Sequence, residues 1–103
     1  LREVAKCLAG RLRTTDFVAR FGGEEFVMML IGTPLTEANR VAEELRNSVA
    51  SLKLHFRGAP VKVTISCGIT ELREGDDADA VFDRADSALY RAKNGGRNLC
   101  VAA

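Results

Sequence analysis

The sequence has few of the features that are typical of disulfide-rich proteins, membrane-spanning proteins or proteins that bind polyanions. Its 103 residues include no Trp, one His, two Pro and only three Cys, namely Cys7, Cys67 and Cys100. These cysteines are far apart and lack CxxC spacing, which argues against a zinc site and indicates reduced packing residues in a cytoplasmic protein. No apolar run approaches the roughly 20 residues of a membrane helix, so no membrane contact is expected. Lys and Arg number 15 against 14 Asp and Glu, a balance that disfavours general nucleic-acid binding.

Apolar residues are abundant enough for one modest core. They make up 47% of the chain, and single domains usually span about 50–200 residues, so residues 1–103 are expected to belong to one domain. Helical and alternating apolar patterns favour an α+β fold, a mostly antiparallel sheet with helices packed on it. The predicted order is helix 1–13, strands 17–21 and 26–31, helix 33–52 begun by hydroxyl caps, strands 54–57 and 61–70, helix 79–94 and strand 99–101.

The turn Gly22-Gly23-Glu24-Glu25 is the first candidate for chemistry. Two adjacent carboxylates repel each other, and a bound divalent cation would supply the missing counter-charge. The two glycines would let a ligand approach the backbone closely. Taken alone, the simpler interpretation is a solvent-exposed hairpin turn made soluble by its acids.

Two further clusters carry charges at helix ends. Lys93 and Arg97 flank the glycines that end the third predicted helix, and together they could bind one phosphate chain. Arg13 and Asp16 follow the first helix and could bind a phosphate and a guanine edge. Each pair has a simpler interpretation by itself, because cations near a helix C-terminus complement its dipole and Asp favours turns.

The order of these motifs resembles the GGDEF family in its GGEEF form. The segment 16–26 is similar to the family's signature hairpin, and 63–69 (VTISCGI) to its VTxSxGV strand. The segment 84–98 resembles the RADxALYxAKxxGRN helix, and the first residues of the chain resemble the middle of the family's long first helix. The resemblance therefore covers the chain from end to end and implies a fold like that of nucleotidyl cyclases and the polymerase palm.

The resemblance implies a diguanylate cyclase, which joins two GTP molecules into cyclic di-GMP and releases two pyrophosphates. It makes Glu24 and Glu25 catalytic carboxylates and ligands of Mg²⁺ or Mn²⁺, two ions per GTP site. It makes Gly22, Gly23, Lys93 and Arg97 substrate-binding residues, with Arg20 a weaker candidate for phosphate binding. It makes Arg13 and Asp16 an inhibitory site for the product. A homodimer is implied for catalysis, with an N-terminal sensory domain outside this chain.

One part of the family pattern has no match in the sequence. The family's first strand carries another metal-binding Asp, and the segment after it carries an Asn and an Asp that bind guanine. We therefore expect the chain to be the C-terminal part of a domain, truncated at its N-terminus and inactive alone. The alternative function is a non-catalytic GGDEF module that acts as a receptor for GTP or cyclic di-GMP, and a third interpretation holds that the turn and caps are only structural.

Overall fold

The computed structural model of the protein describes residues 2–20 and 25–103. Within them the chain forms three α-helices and six β-strands, divided between two compact units, Leu1–Thr33 and Pro34–Ala103. No helix among these residues is both long and apolar enough to span a membrane. The elements in chain order are α1 (Arg2–Ala9), β1 (Phe17–Arg20), β2 (Phe26–Met29), α2 (Leu35–Ala50), β3 (Leu54–Phe56), β4 (Ala59–Val61), β5 (Cys67–Ile69), α3 (Ala78–Asn94) and β6 (Cys100–Ala102).

Helix α1 is shorter than the sequence predicted. Val4 and Leu8, one turn apart, are its buried residues. The helix ends at Ala9, after which the Arg11 and Leu12 amides donate to carbonyls three residues back, each at 3.2 Å. The predicted helix end at residue 13 is therefore wrong, since α1 ends four residues earlier. The apolar repeat continues to Leu12, but its last turn tightens into i→i+3 bonds.

The predicted strand–turn–strand segment forms an antiparallel pair. In β1–β2, Phe17 lies opposite Met29 and Arg20 lies opposite Phe26. Strand β2 ends two residues earlier than predicted. The backbone of Ile31 is hydrogen-bonded to the side chains of Arg13 and Asp16 and not to a neighbouring strand. The predicted Gly-Gly turn between the strands falls on residues outside the described part of the chain.

Helices α2 and α3 begin in different ways. Pro34 is the N-cap of α2 and no side chain caps it, so the predicted hydroxyl caps are wrong. The Thr33 hydroxyl instead donates to the Ile31 carbonyl at 3.1 Å. The predicted Asp cap of α3 is confirmed, since the Asp77 carboxylate accepts from the Ala80 amide at 2.8 Å. Five residues of the two helices are buried: Ala42, Leu45, Val49, Ala88 and Ala92.

The predicted strand at 61–70 is two strands. Strands β3 and β4 form an antiparallel hairpin with Leu54 opposite Val61, and the exposed His55 lies on it. Strand β5 pairs in parallel with β6, Cys67 opposite Cys100. Residues 62–66 belong to neither pair. Side-chain alternation reports which residues share a face, whereas a strand also needs a neighbour for its backbone hydrogen bonds.

Both α2 and α3 pack on the β5–β6 pair. At Gly68 the approach of α3 is so close that a Cβ would lie 2.2 Å from the Ala85 carbonyl oxygen and 2.3 Å from the Leu89 nitrogen. In the sequence, apolar residues alternate with polar ones over 61–70, a pattern that predicts Gly68 on the polar face of a half-exposed strand. That face is covered instead, because glycine lets the backbone of α3 contact the strand.

Candidate functional site

The C-terminus of α3 holds the two cations that the sequence proposed as phosphate ligands. Lys93 lies in the last helical turn and Arg97 just beyond it. The Arg97 amide donates to the Ala92 carbonyl at 3.0 Å and the Gly96 amide donates to the Lys93 carbonyl at 3.4 Å. Gly96 has a positive φ of 119°. These bonds form a Schellman motif, which confirms the predicted glycine cap and places it at Gly96.

The turn after this cap is held in a sparsely populated conformation. Arg97 and Asn98 are non-glycine residues with φ of 62° and 50°. Such residues persist only where their surroundings fix them, and they are common at functional sites. The fixing contacts come from Arg46 of α2, whose Nη1 donates to Asn98 Oδ1 at 2.9 Å, and from Ser66, whose hydroxyl accepts from the Asn98 amide at 3.1 Å.

Arg46 is a residue that the sequence analysis missed. Its guanidinium also donates from Nε to Glu43 Oε1 at 2.8 Å, so it is fixed on both sides. Local spacing did not distinguish it from Arg40, the other cation of α2, since the contact of Arg46 with Asn98 joins residues 52 positions apart. The sequence did contain one signal. Arg97 and Asn98 directly follow the glycine cap, so two residues that are not glycine have to form the turn after the helix.

The ends of the Lys93 and Arg97 side chains are available to a ligand. Within residues 2–20 and 25–103, the structure records no hydrogen bond or ion pair for the Lys93 ammonium or the Arg97 guanidinium. Lys93 is half-buried and Arg97 is exposed. Two cations therefore lie at one helix end, where they complement the negative end of its dipole, and the phosphate site at these residues stays a prediction.

Arg13 and Asp16 are brought together, and they bind each other. The Arg13 side chain donates from Nε to Asp16 Oδ2 at 3.1 Å and from Nη2 to Oδ1 at 2.9 Å. The Asp16 side chain is only 4% exposed, whereas that of Arg13 is 58% exposed. The hydrogen bond from the Arg13 side chain lowers the pKa of the Asp16 carboxyl, and backbone amides of Arg13 and Ile31 lower it further.

The same pair fastens the segment that follows β2. Arg13 Nη2 donates to the Ile31 carbonyl at 2.8 Å and to the Thr33 hydroxyl at 2.9 Å, while the Ile31 amide donates to Asp16 at 3.3 Å. This site therefore consists of one fixed carboxylate and a half-exposed guanidinium at the end of the β1–β2 pair.

The carboxylates of the signature are described only in part. Glu25 is exposed and directly precedes β2, and Arg20 ends β1. Gly22, Gly23 and Glu24 lie outside the described residues. Among the residues that are described, no cluster of three or more His, Cys, Asp or Glu side chains could hold a metal ion. The proposed metal site remains a prediction.

Comparison with known proteins identifies the family. The statistical model of the family described as "Diguanylate cyclase, GGDEF domain" matches residues 1–99. The chain belongs to the GGDEF domain family. Its α+β fold agrees with solved GGDEF domains: a GGDEF domain of DgcB from Caulobacter crescentus in complex with c-di-GMP is 36% identical, with a TM-score of 0.93 over 98% of this chain and 61% of that one.

Other relatives of this GGDEF chain are longer proteins. It is 48% identical over 100 residues to diguanylate cyclase DgcP of Pseudomonas aeruginosa, covering 93% of this chain and 15% of that protein. Diguanylate cyclase DgcM of Escherichia coli is 45% identical over 103 residues, all of this chain and 24% of DgcM. Diguanylate cyclase SiaD of P. aeruginosa, solved with its activator SiaC, is 40% identical with a TM-score of 0.93, covering 98% of this chain and 39% of SiaD.

Proposed function

We propose that this chain is the signature-bearing part of a diguanylate cyclase domain, which condenses two GTP molecules into cyclic di-GMP and two pyrophosphates. The observation that carries the proposal is the register of the β1–β2 pair. The last pair of this register joins Arg20 to Phe26, so in the sequence the Gly-Gly-Glu-Glu part of the signature falls between two paired strands. In a GGDEF chain, this register supports a role for the signature in holding the nucleotide.

The cations at the end of α3 are proposed to bind the terminal phosphates of GTP. Guanidinium and ammonium groups suit phosphate oxygens, and neither Lys93 nor Arg97 has a competing carboxylate among the described residues. The left-handed turn fixes the Arg97 backbone before GTP binds, which reduces the backbone ordering that binding requires. Gly22 and Gly23 would leave room for the nucleotide against the hairpin.

The carboxylates of the signature are proposed to hold Mg²⁺ or Mn²⁺ and to handle the proton. Carboxylate oxygens are the hard ligands that these ions prefer. Glu24 would accept the proton of the attacking hydroxyl and bind metal, and Glu25 would support it. Metal ions held by these carboxylates would supply positive charge to offset that of the reacting phosphate and the leaving pyrophosphate. The family pattern implies a further carboxylate, which no residue of this chain matches.

Catalysis is proposed to need two such domains facing one another, one GTP in each. The 3′-hydroxyl of one GTP attacks the α-phosphate of the other, so neither domain completes the reaction alone. We place the reaction in the cytoplasm, under the control of a sensory domain elsewhere in the protein. The chain spans 15% to 24% of DgcP and DgcM, which leaves room for such domains in those relatives.

A chimera tests the proposed function. The alignment with DgcM spans 103 residues and covers all of this chain. In the chimera, this chain replaces the matched segment of DgcM, and DgcM provides the remaining parts of the cyclase. Cyclic di-GMP formed from GTP and Mg²⁺ is measured by chromatography. Lys93→Ala and Arg97→Ala are expected to raise the KM for GTP about ten- to a hundred-fold, because a hydrogen bond to a charged group contributes about 1.5–3 kcal/mol.

The matched control is Arg91→Ala, another cation of the last turn of α3. We expect this variant to keep the KM of the chimera. Equal effects at positions 91, 93 and 97 would show that only general positive charge matters and would contradict a specific phosphate site. A folded chimera without product formation would contradict the cyclase proposal.

A second function is favoured by the Arg13–Asp16 site, which is proposed to bind cyclic di-GMP as product inhibitor or received signal. The half-exposed Arg13 guanidinium would bind a phosphate of cyclic di-GMP, while the Asp16 carboxylate, 4% exposed and already hydrogen-bonded, orients that guanidinium. Cyclic di-GMP is expected to bind the chain in a calorimetric titration, and Arg13→Ala to weaken it. In the chimera, Arg13→Ala should relieve product inhibition while turnover persists. An unchanged inhibition constant would refute the site.

A further inference from the structure

Two cysteines that are far apart in the sequence are neighbours in the fold. Cys67 of β5 and Cys100 of β6 are directly paired in the parallel strand register. Paired residues of adjacent strands point to the same face, and the two thiols lie within hydrogen-bonding reach of each other. Both residues are half-buried and both thiols are free. The prediction of reduced, half-buried cysteines is therefore confirmed, and the pairing of two of them is a feature that the sequence did not indicate.

The charged residues of α2 face this thiol pair. The Glu43 carboxylate hydrogen-bonds the Cys100 thiol, and the Arg46 guanidinium lies close enough to influence both sulfurs. The hydrogen bond with Cys100 lowers the pKa of Cys67, and the positive charge of Arg46 lowers it further. Burial and the negative charge of Glu43 act in the opposite direction. The contacts with Cys67 and Glu43, together with burial, raise the pKa of Cys100. Of the two sulfurs, Cys67 is therefore the one at which the thiolate is favoured.

We propose that Cys67 and Cys100 are a peroxide-sensitive thiol pair that closes into a reversible disulfide between β5 and β6. Adjacent strands lie about 4.7–4.9 Å apart, and a disulfide joins Cα atoms about 4.4–6.8 Å apart. The usual spacing of adjacent strands therefore falls within the Cα range that a disulfide bridges. Bonds between paired strand positions depart from ideal disulfide geometry, which makes them easier to reduce.

The chemistry needs hydrogen peroxide as the oxidant and proceeds in two steps. The Cys67 thiolate attacks one peroxide oxygen, the O–O bond breaks, and the departing hydroxide takes up a proton to become water. Cys67 is then a sulfenic acid. The Cys100 sulfur attacks the Cys67 sulfur, the S–S bond forms, and the hydroxyl leaves as water with the Cys100 proton. One peroxide is reduced for each disulfide formed.

Cys7 provides an internal control. It is also free and half-buried, but it lies in α1, where the described residues give its thiol no recorded charged or thiol partner. A general effect of peroxide on half-buried thiols would modify Cys7 as fast as the others. A paired site would oxidise Cys67 about tenfold faster or more, since reactivity follows thiolate character.

The test exposes the full chain to limiting hydrogen peroxide, alkylates the remaining thiols and determines the intact mass. We expect the loss of two hydrogen atoms, one alkylated thiol instead of three, and complete reversal by dithiothreitol. Peptide mapping should assign the bond to Cys67 and Cys100. Cys7→Ser should react as the wild type does. Cys100→Ser should accumulate a sulfenic acid on Cys67 that dimedone traps, and Cys67→Ser should form no intrachain disulfide.

Three results would overturn the proposal: three alkylatable thiols after peroxide treatment, a bond that includes Cys7, or equal oxidation rates at Cys7 and Cys67. Peptide mapping of the wild type over a time course of oxidation answers each question without any variant. A serine variant that fails to fold therefore does not weaken the test, and circular dichroism identifies such a variant.

Discussion

Replacing Gly68 with alanine tests the close contact between β5 and α3. The new Cβ would lie 2.2 Å from the Ala85 carbonyl oxygen, whereas real Cβ contacts keep at least 3.0 Å, so the helix or strand must move by about 0.8 Å. The obstacle is backbone, and no side-chain rotation relieves it. Overpacking of this kind costs about 1–3 kcal/mol, and we expect the upper end.

Thermal unfolding followed by circular dichroism gives the measurement. For a domain of this size, about 3 kcal/mol corresponds to a fall in Tm of about 12–24 °C. The control is Gly10→Ala, which adds the same methyl group where the nearest atom, the Lys6 carbonyl oxygen, is 3.2 Å away. We expect that control to stay within about 1 kcal/mol of the wild type. A Gly68→Ala chain that melts with the wild type would refute the close approach.

Three further predictions concern α3 and its neighbours. Asp77→Ala removes the cap bond to α3 and should cost about 1 kcal/mol in urea unfolding, with Asp77→Asn restoring most of it. The Arg84 side chain lowers the pKa of Asp76 from 3.8 to about 2, so the pair stabilises the fold above the unfolded pKa, and this contribution is lost as the pH falls towards 2. Asp76→Asn should flatten the fall in stability across that window, and an unchanged slope would count against the pair. Arg46→Met releases Asn98 and should weaken GTP binding about tenfold in the chimera with helix content unchanged, because a displaced cation binds phosphate poorly.

Local patterns were sufficient for elements whose causes are local. The Asp cap of α3, the glycine cap at its end and the two strands around the signature all follow from residues within a few positions of one another. The Arg13–Asp16 pairing also joins residues three apart, although the sequence suggested a ligand site rather than mutual contact.

Features set by contacts distant in sequence were missed. Residues 61–70 alternate like one strand, yet β4 and β5 are separate because each pairs with a different partner. The alternation over residues 61–70 predicts an exposed Gly68, because it carries no information about a helix packed on the second face of the strand. The Arg46–Asn98 bond and the Cys67–Cys100 pair both join distant segments, and no local spacing predicts them.

The most direct test of the central claim is cyclic di-GMP formation from GTP by the DgcM chimera with and without Glu24→Gln. The proposal predicts product from the unsubstituted chimera and none above background from Glu24→Gln, with circular dichroism showing both folded. Glu24 is proposed to bind metal and accept a proton, and an amide does neither well. Equal turnover by the two proteins would contradict the assignment of this chain's signature as the catalytic centre.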